Sequence, residues 1–195
     1  VDGEGRKISK SLGNDVDTHK LIATYGAEVL RMWTIMVDYR EDMRISDDMI
    51  RRVADAYRKV RNTIRYLLSN LSDFDPAQDA VAEDALDELD RYALERHRQV
   101  VARVLEGYDS YEFHVVYHQL VQYASADLSA FYLDVLKDRL YCDGTSWPRR
   151  RSAQTVLHLL ARDMCLLLAP VLPFTSDEAW EALPFGWAPI LEDKK

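Results

Sequence analysis

The sequence has few of the residues that break or cross-link a chain: 7 glycines, 6 prolines and 2 cysteines among 195 residues. So little glycine and proline argues against a loop-rich or all-β architecture. The longest apolar stretch, Met164 to Leu172, is about half the ~20 residues that cross a bilayer, and it contains Pro170. No signal peptide is visible, and two cysteines without a partner motif are typical of an intracellular protein. We therefore expect a cytoplasmic protein with no membrane partner.

Acidic residues outnumber basic ones, 33 to 25, which gives a formal net charge of −8, but the basic residues are unevenly distributed. Residues 51–66 carry six basic side chains and one acid. Residues 73–90, which we call the acidic linker, carry eight acids and no lysine or arginine. Residues 149–151 are three consecutive arginines. A polyanion can bind a local basic surface on an acidic protein. From charge alone, a solvated acidic protein with exposed basic side chains is the simpler interpretation.

Nearly half of the residues are hydrophobic, and their spacing predicts helices in most of the chain. No convincing strand or internal repeat is evident. The pattern predicts an all-α fold, an antiparallel helical bundle preceded by a mobile loop and short helices. The predicted helices span residues 19–25, 27–37, 49–73, 84–106, 110–140 and 149–168, followed by a short helix that Thr175 or Ser176 caps and that ends at Leu183.

The helix over residues 49–73 has the clearest periodicity. Its apolar side chains recur at steps of three and four from Met49 to Leu71, the mark of an amphipathic helix. A second row follows the same steps, offset by two residues and therefore roughly 200° around the helix. This second row is mostly basic and is predicted to face away from the core. Its members are Arg51, Asp55, Arg58, Asn62 and Arg65.

Residues 2–13 contain three glycines, two serines and three basic residues, a composition typical of a loop. Within it, Lys7 and Lys10 lie three positions apart beside Ser9 and Ser11. Lysine ammonium groups, serine hydroxyls and free backbone N–H groups are all suited to binding a triphosphate. A bare Lys-x-x-Lys pattern, by contrast, is more often a flexible surface connection.

The longer string over residues 7–14 resembles the KMSKS signature of class I aminoacyl-tRNA synthetases, with Ile8 where methionine is usual. Residues 25–33 are similar to the segment that follows this signature in the isoleucine, valine and leucine enzymes. The resemblance covers most of the chain and weakens in the acidic linker and the last dozen residues. The segments that resemble the isoleucyl-tRNA synthetase family in particular are residues 38–46, 57–68, 127–134, 137–141, 151–155 and 168–175.

The resemblance implies an ATP-dependent aminoacyl-tRNA ligase that uses ATP with magnesium. Lys7 and Lys10 would be catalytic, stabilising charge on the ATP phosphates as the amino-acid carboxylate attacks, and Ser9 and Ser11 would help to bind ATP. The chain would then divide into residues 1–46, from the end of the catalytic region, and residues 47–195, a helical anticodon-binding domain. Because the nucleotide fold of the family precedes this signature, we expect a fragment that is inactive alone and binds no cofactor.

The helical domain of this family docks the anticodon stem and loop, so the resemblance also implies an isoleucine tRNA as partner, a monomeric protein and no DNA partner. Arginine and lysine would position the phosphates, Asn62 could bond a base edge, and Tyr57 or Tyr66 could stack on an unpaired base. Core packing is the more frequent role for such tyrosines. The residues expected to bind tRNA are Arg51, Arg58, Lys59, Arg61, Asn62 and Arg65.

Several alternatives stay open at this point. Each arginine could be a solvated charge or a partner of the acidic linker. The chain could be a stand-alone helical protein-interaction domain with a chance loop motif, or the equivalent region of valyl-tRNA synthetase. His114 and His118 share a helix face, as zinc ligands can, but no adjacent cysteine or glutamate completes a site. We therefore predict no metal site.

Overall fold

The structure, a computed structural model, describes residues 1–9, 11 and 16–184. Its helices confirm the all-α prediction, and this part of the chain has no strand beyond a single bridge between Asp2 and Ile45. None of the described helices is both long and apolar enough to cross a membrane. A 3-10 turn, Glu83–Ala85, precedes α5, and a π-helix, Tyr123–Tyr132, joins α6 to α7. The α-helices are α1 (Thr18–Tyr25), α2 (Ala27–Met36), α3 (Asp47–Ser69), α4 (Pro76–Asp79), α5 (Glu88–Asp109), α6 (Phe113–Gln122), α7 (Leu133–Val135), α8 (Lys137–Cys142), α9 (Pro148–Leu168) and α10 (Pro173–Glu181).

The first residues of the chain lie beside the start of α3. The Val1 ammonium group donates to the Met43 carbonyl at 2.9 Å, and the Ile45 N–H donates to the Val1 carbonyl at 3.0 Å. The Asp2 carboxylate accepts a hydrogen bond from the Arg6 backbone N–H at 2.8 Å. The beginning of the predicted loop is therefore hydrogen-bonded to residues 43–45.

Two short helices precede α3, as predicted. Asp17 caps α1, because its carboxylate accepts a hydrogen bond from the Lys20 N–H at 3.1 Å. Gly26 separates α1 from α2 with a φ of 85°, a conformation that glycine adopts without steric cost. Val29 and Met32 of α2 are buried, so this helix is part of the main core.

The apolar row of α3 is buried as predicted from Val53 to Leu67, although Ile50 rather than Met49 begins it. Ser46 fixes the start of the helix, because its hydroxyl accepts a hydrogen bond from the Met49 N–H at 3.3 Å. The periodicity therefore gives the buried face of α3 correctly, and the basic row lies on the other side.

The end of α3 differs from the prediction. The apolar spacing predicts a helix that continues to about residue 73, but α3 ends at Ser69. The Asn70 N–H donates to the Leu67 carbonyl at 3.3 Å, which tightens the last turn. Leu71 and Phe74 are still buried, so the apolar spacing continues into a turn that packs on the core without being helical.

The pattern also predicts one continuous helix over residues 110–140, whereas the structure has α6, the π-helix, α7 and α8. A π-helix closes its hydrogen bonds over five residues, which shifts the buried row. Tyr132 is consequently 1% exposed and Phe131 is 45% exposed, although the α-helical spacing favours Phe131 as the core residue. The Thr63 hydroxyl of α3 lies 3.1 Å from the Ala124 carbonyl and 2.9 Å from the Ser129 hydroxyl. Both contacts lie within the π-helix, and a side chain from a neighbouring helix can disturb the helical hydrogen bonds at such a point.

Gly107 has a packing role instead of ending its helix as the sequence predicts. Helix α5 continues to Asp109, and Gly107 is buried against α6. A Cβ atom at this position would lie 2.9 Å from Val116 Cγ2. The turn into α6 is closed by Tyr111, which has a φ of 59°. The missing side chain thus permits the close approach of two antiparallel helices.

Helix α9 is the central helix of the bundle and packs against α3, α5, α8 and α10. Buried side chains line it from Ser152 to Leu168, and Pro148 occupies its first turn as expected for a helix start. Helix α10 begins at Pro173, two residues before the predicted cap at Thr175. An acceptor for its free N–H groups comes from α2, as described below.

Candidate nucleic-acid interface

The outer face of α3 brings the six predicted RNA-binding residues together on one exposed surface. This surface, which we call the α3 basic face, results from the amphipathic spacing: burial of the apolar row turns the polar row towards solvent. The Arg58 side chain is 69% exposed, so it is accessible to a macromolecule. The members of the α3 basic face are Arg51, Arg58, Lys59, Arg61, Asn62 and Arg65, all exposed, and Arg52 lies next to them.

Ion pairs on this face are few and exposed. Arg58 pairs with Asp55 one turn earlier, and Arg51 lies 3.9 Å from Asp48. The Arg61 guanidinium lies 3.1 Å from the Glu178 carboxylate of α10, and the hydrogen bond to Glu178 raises the pKa of Arg61. Such pairs contribute about 0–1 kcal/mol and exchange easily for other partners.

The remaining cations of the face, and the neighbouring Arg52, have no ion-pair partner among the residues that the structure describes. Within the described ranges, Arg52, Lys59 and Arg65 have no carboxylate within 4.0 Å. A cation without a protein partner keeps its full capacity to bind a phosphate. The face is therefore a local positive surface on a chain whose net charge is negative.

Carboxylates of the acidic linker are bound to arginines of helices other than α3. The Asp73 carboxylate accepts hydrogen bonds from Arg150 at 3.0 Å and from Gln154 at 2.7 Å. Asp79 lies 3.3 Å from Arg151. Burial on its own would raise the pKa of Asp73, but the bonds from Arg150 and Gln154 outweigh burial and lower it. The N-terminus of α9 therefore neutralises the first half of the linker.

The second half of the linker is bound by α5 and α8. Glu83 lies 2.6 Å from Arg98 of α5. Arg139 of α8 lies 2.8 Å from Asp87 and 3.3 Å from Asp90. Among the described residues, no carboxylate of the linker pairs with the α3 basic face. The alternative in which the linker neutralises α3 is therefore wrong for this part of the chain.

The three consecutive arginines at residues 149–151 do not form an open basic patch. Arg150 and Arg151 are mostly buried in the linker contacts, with side chains 13% and 16% exposed. Arg149 is bound to Asp143 at 3.0 Å. Counting basic residues along the sequence thus identifies two regions, residues 51–66 and 149–151. The structure shows that the basic residues of the first are exposed and that those of the second are used mainly in contacts within the fold.

A buried carboxylate connects α2 to the start of α10, next to the α3 basic face. Glu28 accepts hydrogen bonds from the N–H groups of Phe174 at 2.9 Å and Thr175 at 3.0 Å, and from the Thr175 hydroxyl. These are free N–H groups of the first helical turn, where a negative charge is favoured. Glu28 therefore acts as a helix cap supplied from another part of the chain.

Arg31, one turn after Glu28, binds the other side of the same turn. Its guanidinium donates to the carbonyl groups of Val171 and Pro170, both at 2.8 Å. Glu28 and Arg31 together hold residues 170–175 through backbone groups. Sequence patterns alone do not indicate this connection, because more than one hundred residues separate the partners.

The two tyrosines considered for base stacking have structural contacts. The Tyr57 hydroxyl lies 2.9 Å from the Thr175 hydroxyl and 3.3 Å from Glu28, and Tyr57 is partly buried. The Tyr66 hydroxyl lies 3.3 Å from that of Tyr141, and burial raises the pKa of Tyr66. Both observations favour the packing role over stacking.

The predicted ATP-binding residues lie at the other end of the chain. Lys7 is exposed and Ser9 is half-buried. The hydroxyl groups of Ser9 and Ser11 are 2.6 Å apart, so two hydroxyl groups converge in this loop. This donor set fits a phosphate group. Lys10 lies outside the described residues, and within them no cluster of metal-ligating side chains is present.

Comparison with known protein families gives two matches along the chain. Residues 90–194 match the family described as the anticodon-binding domain of tRNA ligase. Residues 1–46 match the class I tRNA synthetases for isoleucine, leucine, methionine and valine. The order of the two matches is the order that the sequence motifs predict.

Individual relatives agree. Isoleucine–tRNA ligases from Syntrophotalea carbinolica and Symbiobacterium thermophilum are 51% and 52% identical to this chain over 94% of its length. The chain spans about one fifth of the length of these relatives, since it covers 20% of each. The match includes the loop and the helices together, so the loop motif is not a chance feature.

A solved structure supports the fold independently. The leucyl-tRNA synthetase of Agrobacterium radiobacter, in a ternary complex with tRNA and LeuAMS, superposes with a TM-score of 0.67 at 18% identity. The superposition covers 95% of this chain and 21% of the synthetase. The helical architecture, the two family matches and the relatives agree: this chain belongs to the family of anticodon-binding domains of tRNA ligases, and its relatives at about 50% identity are isoleucine–tRNA ligases.

Proposed function

We propose that this chain is part of an ATP-dependent isoleucine–tRNA ligase and that its α3 basic face binds the anticodon stem and loop of an isoleucine tRNA. The chain would act in the cytoplasm as a monomeric component, with tRNA and not DNA as its partner. The observation that carries the proposal is the position of the charges. The acidic linker binds arginines of α5, α8 and α9, and leaves the cations of α3 exposed.

The residues of the face have different proposed roles. Arg51, Arg58, Lys59, Arg61 and Arg65 would contact phosphates, which position the RNA without reading its sequence. Asn62 would donate or accept a hydrogen bond at a base edge, since an amide group can do both. These roles follow from the chemistry of the side chains and their shared exposure.

The first region, residues 1–46, would supply the ATP-binding loop, and residues 47–195 would form the anticodon-binding domain. Lys7 and Lys10 would stabilise negative charge on the phosphates of ATP with magnesium, and Ser9 and Ser11 would add hydrogen bonds. The convergence of the Ser9 and Ser11 hydroxyl groups supports this assignment. We expect no turnover from the isolated chain in ATP–pyrophosphate exchange with isoleucine, because the rest of the active site is supplied by other parts of the ligase.

The RNA-binding role is tested by removing three cations of the face at once. The triple variant with Arg58→Ala, Arg61→Ala and Arg65→Ala should bind the isoleucine tRNA roughly tenfold more weakly at low salt. The slope of log affinity against log salt should fall by about two to three, because fewer counterions are released. Binding is measured by fluorescence anisotropy between 50 and 200 mM salt.

Exposed cations on other helices provide a matched control with the same change in charge. Arg91 and Arg103 of α5 and Lys137 of α8 are exposed, and none of them pairs with the acidic linker in the described part of the chain. Replacing all three with alanine should leave the affinity and the salt slope within twofold of the original protein. Equal losses from both triple variants would mean that only the overall charge matters, and unchanged binding by the α3 variant would remove this face from the RNA site.

The proposed specificity for isoleucine tRNA is tested by comparing tRNA molecules. The relatives at about 50% identity are isoleucine–tRNA ligases, so the isoleucine tRNA should bind more tightly than the valine tRNA. An isoleucine tRNA that carries the valine anticodon should lose this advantage. Equal affinity for all three would leave a phosphate-binding surface that does not read the anticodon.

A further inference from the structure

Phe174 is an apolar side chain in an unusual position. It is 70% exposed, the largest fraction among the large hydrophobic residues that the structure describes. Single exposed hydrophobic residues are common on protein surfaces and need no function. What distinguishes Phe174 is how its backbone is held and what surrounds its ring.

The backbone of Phe174 is fixed by buried groups. Its N–H donates to the Glu28 carboxylate at 2.9 Å, and the following Thr175 N–H donates to the same oxygen at 3.0 Å. Glu28 and Thr175 are both buried. Phe174 thus projects from the first turn of a helix whose start is anchored. A fixed backbone allows an exposed ring to bind without first being ordered.

The ring shares a cleft with polar side chains of the α3 basic face. This cleft of about 430 Å³ is lined by Phe174, Arg58, Arg61 and Asn62, which gives room for a nucleobase. The carboxylates of Glu28 and Glu178 also line it, but they are already bound to Thr175 and Arg61. The Arg61 guanidinium is held by Glu178 at 3.1 Å, four residues after Phe174 and therefore on the same side of α10.

The polar groups of this cleft are not all used within the protein. Asn62 is exposed and makes no side-chain hydrogen bond to any other residue in the described ranges. Its amide group is available at the edge of the cleft. The Tyr57 hydroxyl, in contrast, is occupied by Thr175 and Glu28. Tyr57 is also partly buried, so Phe174 is the aromatic ring of this cleft that a base can reach more easily.

We propose that Phe174 is the platform on which an unpaired base of the bound RNA stacks, with Asn62 bonding the edge of that base and Arg58 contacting the adjacent phosphate. This inference rests on the proposed RNA-binding function. It adds a residue that distinguishes an unpaired base from a paired one. An aromatic face, an amide and a guanidinium group are the combination by which proteins bind unstacked bases. The surrounding cations favour an RNA over an apolar peptide as the occupant.

The test compares two RNA molecules and three substitutions. One RNA is the anticodon stem-loop of an isoleucine tRNA, and the other is a blunt duplex of the same stem. Phe174→Ala and Phe174→Leu should each weaken stem-loop binding by about 5- to 100-fold, because base stacking on an aromatic ring is lost. Duplex binding should change by less than twofold. Phe174→Trp should retain stem-loop binding.

A fluorescent base identifies the stacked nucleotide. With 2-aminopurine placed at each loop position in turn, one position should be quenched by the original protein and not by Phe174→Ala. Tyr92→Ala serves as the matched control, since Tyr92 is also exposed and lies on α5, where it contacts Phe131. This variant should bind both RNA molecules as the original protein does.

The other outcomes contradict the inference in distinguishable ways. Unchanged stem-loop binding by Phe174→Ala, with weaker binding by the Arg58, Arg61 and Arg65 triple variant, overturns stacking and leaves the proposed function intact. Retained binding by Phe174→Leu would indicate apolar contact without stacking. Equal losses on stem-loop and duplex, or a lowered melting temperature, would indicate a structural role for Phe174. No binding of either RNA by the original protein overturns the proposed function itself.

Discussion

The arginines of α3 and those at the start of α9 are the same residue type in two different environments. Arg150 and Arg151 are mostly buried against the acidic linker, with side chains 13% and 16% exposed. Arg58 and Arg65 of α3 are exposed, and Arg65 has no carboxylate within 4.0 Å in the part of the chain that the structure describes. One group of arginines fixes the fold, and the other is available to a partner.

The difference shows why the net charge of the chain is a poor guide to its binding surfaces. Most of the linker carboxylates face arginines of the same bundle, so their charge is compensated internally. The cations of α3 are compensated less: three have exposed carboxylate partners, and Arg52, Lys59 and Arg65 have no carboxylate within 4.0 Å among the described residues. A negative protein can therefore present a positive face where it is needed, because partners within the fold decide which charges remain.

The strongest test of this comparison is the loss of a buried arginine. Arg150→Ala should lower the free energy of unfolding by about 2–3 kcal/mol, between the costs of breaking an exposed and a fully buried pair, because the side chains of Arg150 and Asp73 are 13% and 30% exposed. The substitution leaves the Asp73 carboxylate with one hydrogen-bond donor fewer and removes the bond to the Leu140 carbonyl. Urea denaturation followed by circular dichroism measures the change.

The neighbouring residue is the control for this prediction. Arg149 is next in sequence, but its side chain is 53% exposed, and it binds the Asp143 carboxylate at 3.0 Å. Arg149→Ala should have a much smaller effect on unfolding than Arg150→Ala. Similar effects of the two substitutions would contradict the distinction between buried and exposed arginines.

Loss of the buried Glu28 carboxylate should also lower the free energy of unfolding. Glu28→Ala should destabilise the protein by about 2 kcal/mol, because the N–H groups at the start of α10 lose their acceptor. Glu178→Ala, on the exposed side of α10, should cost less than half as much. The measurement is again urea denaturation, and equal costs would show that Glu28 contributes little as a cap.

The sequence was sufficient for the parts of the fold that depend on local spacing. The buried row of α3 and the exposure of its basic face follow from steps of three and four residues. These features need no knowledge of distant residues.

Features that depend on distant partners could not be predicted in this way. Residues of the π-helix contact the Thr63 hydroxyl, which belongs to α3. Arg150 meets Asp73 across 77 positions of sequence. The significance of Phe174 depends on Glu28, 146 positions away. Periodicity marks which side of a helix is polar, but only the packed structure shows which polar groups have already found partners.

The pH dependence of stability gives a further test of the buried pairs. Because its folded-state pKa is lowered, Asp73 stabilises the fold fully above its unfolded-state pKa, about 4. That contribution is lost as the pH falls through the folded-state pKa. Asp73→Asn should cost about 1 kcal/mol at neutral pH, and the gap between the variant and the original protein should narrow below about pH 4. A gap that stays constant down to pH 2 would contradict the ion pair.

The smallest expected effect on stability belongs to Arg65, and it completes the comparison. Arg65→Ala should change the free energy of unfolding by less than about 0.5 kcal/mol, because an exposed cation without a nearby carboxylate contributes little. The same substitution should reduce the salt slope of tRNA binding by about one. Denaturation and anisotropy on one protein sample measure both quantities, with Arg103→Ala as an exposed control on α5. A clear loss of stability in the Arg65 variant would mean that α3, like α9, uses its arginines to hold the fold together.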